Sequence, residues 1–266
     1  MFDLSVSNSK SKVFSDNRQT FTAKSASKIA KRSPSGKEVF ICPEESNFYS
    51  QCLDAMVLSN CGTDEAVIEF GAGDGLPVIN SLLRTEFDGL IHGYELNKTA
   101  SEMANSKIAT YNLADKYVVH NCCFFNSAKP NSKYLVSNPP YLPSVDSDIY
   151  MPLLHGGTDG STITKQLLSL DYENVLLMIS SYSHPVGTID YAHIQGYSVA
   201  KFLVSPLPFG YYSSESKVIN TIAKLRENNQ AFYSENIYLL AGVLFQKTRL
   251  YAGDLSAELG QIMTSL

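Results

Sequence analysis

The chain has 266 residues and a formal net charge of −5, with 44% hydrophobic and 18% charged residues. That is enough apolar material for one large core, and no run approaches the ~18 apolar residues that a membrane-spanning helix needs. Five cysteines (Cys42, Cys52, Cys61, Cys122, Cys123) without C-x-x-C spacing fit neither a disulfide scaffold nor a zinc cluster.

The opening Met1-Phe2-Asp3-Leu4-Ser5 lacks the basic-then-apolar order of a secretory signal. Reduced thiols and a cytoplasmic location are therefore expected. In residues 1–40 eight basic residues (Lys10, Lys12, Arg18, Lys24, Lys28, Lys31, Arg32, Lys37) face three acids (Asp3, Asp16, Glu38), a net +5 that leaves −10 to the rest. Residues 1–38 are also rich in Ser and poor in large aliphatics, so they bury little surface and read as a basic arm or small helical segment. Such an arm suits an anionic partner, nucleic acid included. It has equally the chemistry of a transit peptide or of a solvated tail without a partner.

From residue 39 the texture changes. Seven strand-like runs follow in order: Ala66–Phe70, Gly89–Tyr94, Lys116–His120, Tyr134–Ser137, Asn174–Ser180, Ala200–Val204 and Ile237–Phe245. Between several of them lie amphipathic stretches at Leu76–Arg84, Lys98–Tyr111, Ile163–Leu170 and Glu215–Glu227. Short apolar strands separated by helices predict an α/β fold, a Rossmann-like seven-stranded, mostly parallel sheet with helices on both faces. The expected organisation is the arm 1–38, a catalytic domain 39–248, and a C-terminal helix or tail 249–266, in which 251–266 reads as a weak amphipathic helix.

The run Val67-Ile68-Glu69-Phe70-Gly71-Ala72-Gly73-Asp74-Gly75-Leu76-Pro77 ends an apolar strand in three alternate glycines and opens a helix with a proline in its first turn. Glycines there let the backbone turn sharply and approach a ligand closely. The pattern is G-x-G-x-G rather than the G-x-G-x-x-G of pyrophosphate sites. Glu69 and Asp74 flank it, and carboxylates would repel a pyrophosphate but hold an ammonium, which favours a cationic nucleoside. At the tip of the next strand, Glu95 can accept both hydroxyl hydrogens of a ribose.

After the fourth strand comes Asn138-Pro139-Pro140-Tyr141. Two prolines cannot extend a central strand, so they hold an amide and an aromatic ring at the carboxyl edge of the sheet. The Asn138 side-chain oxygen and the Pro139 carbonyl can accept two N–H hydrogens from one planar amino group, while Tyr141 can pack its face on that group. The nitrogen lone pair is then aimed at an electrophile, and catalysis is mostly positioning.

Glu69–Gly75, Glu95 and Asn138–Tyr141, in that order, resemble motifs of class I S-adenosylmethionine-dependent methyltransferases. The Asn-Pro-Pro-Tyr form is similar to enzymes that methylate glutamine amide or adenine nitrogen, most of all the release-factor glutamine N-methyltransferase group. Val39–Ser46 is similar to the Ile-Pro-Arg-Pro-Glu-Thr-Glu segment of that group, without its Arg-Pro pair. His155–Gly160 is similar to its Gly-Gly-x-Asp-Gly segment, and the likeness spans 39–248.

The resemblance implies S-adenosylmethionine as cofactor. Glu69, Gly71, Ala72, Gly73 and Asp74 would cradle its methionine end, Glu95 its ribose, and Leu96 would flank the adenine. Asn138, Pro139 and Tyr141 would be catalytic, with Asn138 also beside the cofactor. After the third strand, where such enzymes commonly set an acid or amide against adenine, Asn121 and Cys122 are the candidate contacts and Phe124 could stack.

A basic, Ser-rich stretch of about 40 residues cannot form the helical substrate-docking domain of release-factor enzymes. The acceptor therefore stays open between a protein glutamine, a small amine or amide, and adenine in RNA or DNA. A non-catalytic cofactor-binding scaffold is the reading from another class. His92, His120, His155, His184 and His193 show no metal-ligand spacing, so no metal is expected. The run Pro206–Tyr212 reads either as a substrate lid or as a packed turn.

Overall fold

The computed structural model describes residues 39–62, 65–249 and 253–266; the arm expected in 1–38 lies outside the described residues. Five parallel strands come first: β1 (Ala66–Phe70), β2 (Leu90–Tyr94), β3 (Tyr117–His120), β4 (Tyr134–Ser137) and β5 (Asn174–Ser180). They are followed by β6 (Tyr197–Pro208), the short β7 (Tyr233–Ser234) and β8 (Ile237–Lys247), in the order β3-β2-β1-β4-β5-β8-β6 with β7 paired to β8. β8 runs antiparallel to both β5 and β6.

The helices are α1 (Pro43–Leu53), α2 (Leu76–Leu82), α3 (Lys98–Thr110), α4 (Thr162–Leu168), α5 (Pro185–Ile194), α6 (Ser216–Glu227) and α7 (Ser256–Met263). They cover both faces because strand side chains alternate. Leu176 and Met178 of β5 join Tyr49, Val78, Ala104 and Ile222 in one apolar layer, under α1, α2, α3 and α6. Val175, Leu177 and Ile179 of the same strand join Leu167, Ile189, Leu259 and Met263 in the other, under α4, α5 and α7. The expected Rossmann-like sheet is the observed one.

Four features differ from the sequence reading. The sixth strand is 12 residues long and carries Pro206 and Pro208, which its place at the end of the sheet tolerates because an edge strand need not donate outward. Helix α5 has no clear signal in the sequence because Val186, Gly187, Thr188 and Ile189 are weak helix formers; Pro185 starts it, and burial of Ile189 and Ala192 holds it down. Helix α1 begins inside the Val39–Ser46 segment, at Pro43, so Glu44 and Glu45 fall in its first turn, where helix dipoles favour carboxylates. Finally, α7 packs against α5 and β6, so the C-terminal residues belong to the same body as the sheet.

His92 on β2 and His120 on β3 stack with ring centroids 5.4 Å apart, and their Nδ1 and Nε2 atoms lie 3.1 Å apart. No group of three metal-ligating side chains forms among the described residues. No helix among them is long and apolar enough to cross a membrane.

Strand order reverses between β1 and β4. The loops leaving their carboxyl ends diverge there and open a crevice, which brings residues 71–75, Glu95 and 138–141 to one edge.

Candidate functional site

The turn after β1 is tied to the tip of β2: the Gly71 and Ala72 N–H groups donate to the Tyr94 carbonyl at 2.9 and 3.2 Å. Gly71 and Gly73 have φ of +71° and +57°, and a Cβ on either would meet nothing within 4 Å. Their floor is thus open space in a backbone conformation that L side chains rarely adopt. Glu95 is buried, and its carboxylate accepts from the Gly73 N–H at 2.8 Å and the Asn97 N–H at 2.6 Å. Burial pushes its pKa up, against the pull of those backbone donors. A cavity of about 240 Å³ opens over this turn, with Glu95 and Leu96 on one side and Cys122, Phe124 and Asn138 among its other walls.

This lining fits a nucleoside bearing a sulfonium. It offers a fixed carboxylate with lone pairs to spare, apolar and aromatic walls, and a glycine floor. Among the described residues no Lys, Arg or His lines it, as a pyrophosphate would want.

Several expected contacts lie elsewhere. Glu69 lines neither cavity: its side chain points beneath the turn, where the Tyr117 and Tyr49 hydroxyls donate to it at 2.6 and 3.3 Å. Asp74 pairs with Lys107 at 2.5 Å and accepts from the Leu76 N–H at 3.2 Å, at the start of α2. Ala72 is buried and is absent from both linings. The chain's own hydroxyls and Lys107 therefore take the partners expected for a ligand ammonium. Asn121 is exposed and donates to the Glu95 and Leu96 carbonyls at 2.9 and 3.3 Å, so it holds the loop rather than the cavity wall. Cys122 does line the cavity.

Burial pushes the Glu69 carboxyl up from 4.5 to about 7, the two tyrosine hydroxyls opposing it. The folded state thus holds this proton more tightly than the unfolded chain does. The group's contribution to stability is complete below pH 4.5 and is lost as pH rises through about 7. Glu69→Gln should remove that slope. Between pH 4.5 and 8 the wild type is expected to lose on the order of 3 kcal/mol relative to the variant, read from parallel melting curves. Equal pH slopes would show that Glu69 stays ionised throughout.

β4 delivers Asn138 to the junction of this cavity with a second one of about 280 Å³. Asn138, Pro140, Phe40 and Leu154 line both cavities, and Pro139 and Tyr141 line only the second. The tetrapeptide is backed by Gly156, where a Cβ would come within 2.7 Å of the Tyr141 Cα and 2.8 Å of the Pro140 carbonyl. From the other side the Ser183 hydroxyl donates to the Tyr141 carbonyl at 2.6 Å. The resemblance at His155–Gly160 thus has a steric reason: only a bare backbone fits behind the loop.

Tyr141 does not lie free to cover a substrate. Its ring is buried against Tyr182 at 5.9 Å, and its hydroxyl donates to Glu45 Oε2 at 2.5 Å. Asn138 Nδ2 donates to the same oxygen at 3.4 Å, and the Tyr238 hydroxyl donates to Oε1 at 3.2 Å. Asn138 Oδ1 is buried without a hydrogen-bond partner. Burial raises the pKa of Glu45 while these donors lower it, and the Cys42 thiol beside it is pushed up to about 12 by burial.

Glu45, Phe40, Tyr182 and Tyr238 were not among the residues singled out. Only the likeness at Val39–Ser46 pointed to Glu45. The run 206–212 divides between the sheet edge and the wall of the second cavity. Pro206 and Pro208 pair in β6, Phe209 packs on Tyr182 and Tyr238, and Tyr211 and Tyr212 line the second cavity. Tyr212 meets Phe40 at 5.7 Å, and Tyr211 stacks on Tyr150 at 5.3 Å.

No protein-family model matches the chain, and no curated protein matches its sequence. Solved structures do. A Pyrococcus horikoshii protein provisionally named an RNA methyltransferase aligns over 81% of this chain and 90% of its own, at 12% identity and a TM-score of 0.53. The chain has that protein's fold. It is the class I methyltransferase fold expected from the sequence. M. jannaschii TYW2, solved in complex with AdoMet, aligns at 13% identity over 77% of this chain and 75% of its own, with a TM-score of 0.45. Precorrin-6y C5,15-methyltransferase from Geobacter metallireducens aligns at 10% identity over 79% and 91%, also at 0.45.

Proposed function

We propose that the chain is an S-adenosylmethionine-dependent N-methyltransferase acting on an amide or amino nitrogen of a protein glutamine or a small molecule. One observation carries the reading: Asn138 stands where two cavities meet, and its buried side-chain oxygen has no partner. A buried acceptor left unsatisfied costs free energy, and an incoming N–H relieves that cost. When bound, S-adenosylmethionine would supply an electrophilic methyl on a sulfonium, a leaving group that needs neither metal nor covalent intermediate.

In this reading Glu95 holds the ribose hydroxyls and the Gly71–Gly73 floor admits the methionine end. Leu96 and Cys122 flank the nucleoside, with Phe124 as its aromatic wall. Asn138 Oδ1 accepts an N–H from the acceptor nitrogen, with the Pro139 carbonyl as the second acceptor. Orientation of the lone pair toward the first cavity then supplies most of the rate.

The second cavity contains Glu44 and Glu45 and, among the described residues, no Lys, Arg or His. Nucleic-acid recognition rests on cations set against phosphates, so this lining favours a neutral or cationic acceptor over adenine in RNA or DNA. The basic residues that could supply phosphate contacts lie in 1–38.

The test is transfer of tritiated methyl from S-adenosylmethionine into cell extract pretreated with either nuclease or protease. Label that survives nuclease is expected. Label abolished by nuclease would shift the reading to adenine. Binding of adenosylhomocysteine without transfer to any fraction would favour the scaffold.

A further inference from the structure

We infer that Glu45 is a positioning residue: its carboxylate sets which way round the Asn138 amide sits, so that the clamp presents an acceptor and not a donor to the methyl-accepting nitrogen. The geometry comes from three parts of the chain. Glu45 in the first turn of α1 receives Asn138 Nδ2 and the Tyr141 hydroxyl on one oxygen and the Tyr238 hydroxyl of β8 on the other. An asparagine amide is nearly symmetric in shape but not in polarity, and packing alone does not distinguish its two orientations. A carboxylate can only accept. Facing it, Asn138 turns its NH2 toward Glu45, which leaves Oδ1 buried and without a partner, at a residue that lines both cavities. With the amide reversed, two acceptors would face each other at Glu45. The site would then offer N–H groups to a substrate nitrogen that itself carries N–H groups.

The role differs from that of Asn138. Glu45 acts through the amide, and its hydroxyl donors keep it in place: Tyr238 and Tyr141 are both buried and each has the carboxylate as its hydrogen-bond acceptor. A glutamine at 45 could offer either its oxygen or its NH2 to Asn138, so both orientations of the Asn138 amide become available.

The amide orientation is a feature of the structure; its consequence for transfer rests on the function proposed above, and the experiment separates the two. Protein labelled with 15N-asparagine shows the Asn138 NH2 pair, identified by its loss in Asn138→Ala. The wild type is expected to give one pair, Glu45→Gln two pairs or a broadened one, and Tyr238→Phe, which keeps the carboxylate, a single pair. Methyl transfer into the labelled extract fraction should fall about tenfold in turnover for Glu45→Gln, with KM for S-adenosylmethionine within about threefold of wild type.

A single, unshifted Asn138 pair in Glu45→Gln would overturn the inference, as would unchanged turnover. An equal loss in turnover and cofactor affinity would also overturn it, by making Glu45 a purely structural residue. Should the wild type take up no adenosylhomocysteine, the methyltransferase reading falls, and the amide signals still decide the part played by Glu45.

Discussion

Asn138→Ala is expected to reduce methyl-transfer turnover by about a hundredfold or more, while the affinity for adenosylhomocysteine stays within a few-fold of wild type. The side chain sits where the two cavities join, but Glu95, the glycine floor and the aromatic wall of the first cavity are all independent of it. Its removal takes away the oxygen that would hold the acceptor nitrogen in line, which is an interaction of the transfer step and not of cofactor binding. The alanine also leaves the backbone of the tetrapeptide alone, because Pro139, Pro140, Gly156 and Ser183 hold that backbone. Calorimetry with adenosylhomocysteine and a single-turnover measurement together separate the outcomes. Equal losses in both would make the tetrapeptide a structural turn.

Glu95→Ala should give the opposite pattern, weakening adenosylhomocysteine binding by about 30-fold or more, since hydrogen bonds to a charged group contribute roughly 1.5–3 kcal/mol each. Two effects act in the same direction. The lone pairs that ribose hydroxyls would use disappear, and the N–H groups of Gly73 and Asn97 lose their carboxylate, so the turn that carries the floor is held to the tip of β2 only by the backbone bonds of Gly71 and Ala72 to Tyr94. Glu95→Gln keeps one acceptor oxygen and is expected to fall between the two. Titration calorimetry is the measurement, and an affinity within about threefold of wild type for the alanine variant would remove Glu95 from the cofactor site.

The two strongest local signals survived into the structure because each is made by adjacent residues. A strand ending in alternate glycines forms a turn wherever it stands, and consecutive prolines after a strand hold the next side chains at the sheet edge. The placement of Glu69 was not legible in the same way. It is one residue from the strand end and two from the first glycine, and sequence proximity suggested a part in the ligand cradle. Strand alternation turned it to the face where Tyr49 and Tyr117 were waiting, 20 and 48 residues away in the chain. Asn121 shows a milder version: it lies at the expected place after β3, but loop carbonyls satisfy its amide.

Taken by itself, the order of residues determined the alternation of strands and helices, the glycine turn, the acid at the tip of β2 and the amide at the end of β4. Each of these depends on a local period, a backbone restriction or a neighbouring side chain. Only the tertiary structure decided that Glu45 meets Asn138 across 93 residues and Tyr238 across 193, that Asp74 is taken by Lys107, and that Asn138 Oδ1 is left without a partner. Polar partners inside a core are chosen by the folding together of distant elements, where a buried donor or acceptor must find whatever group the packing brings within reach. No local pattern in the chain records that choice.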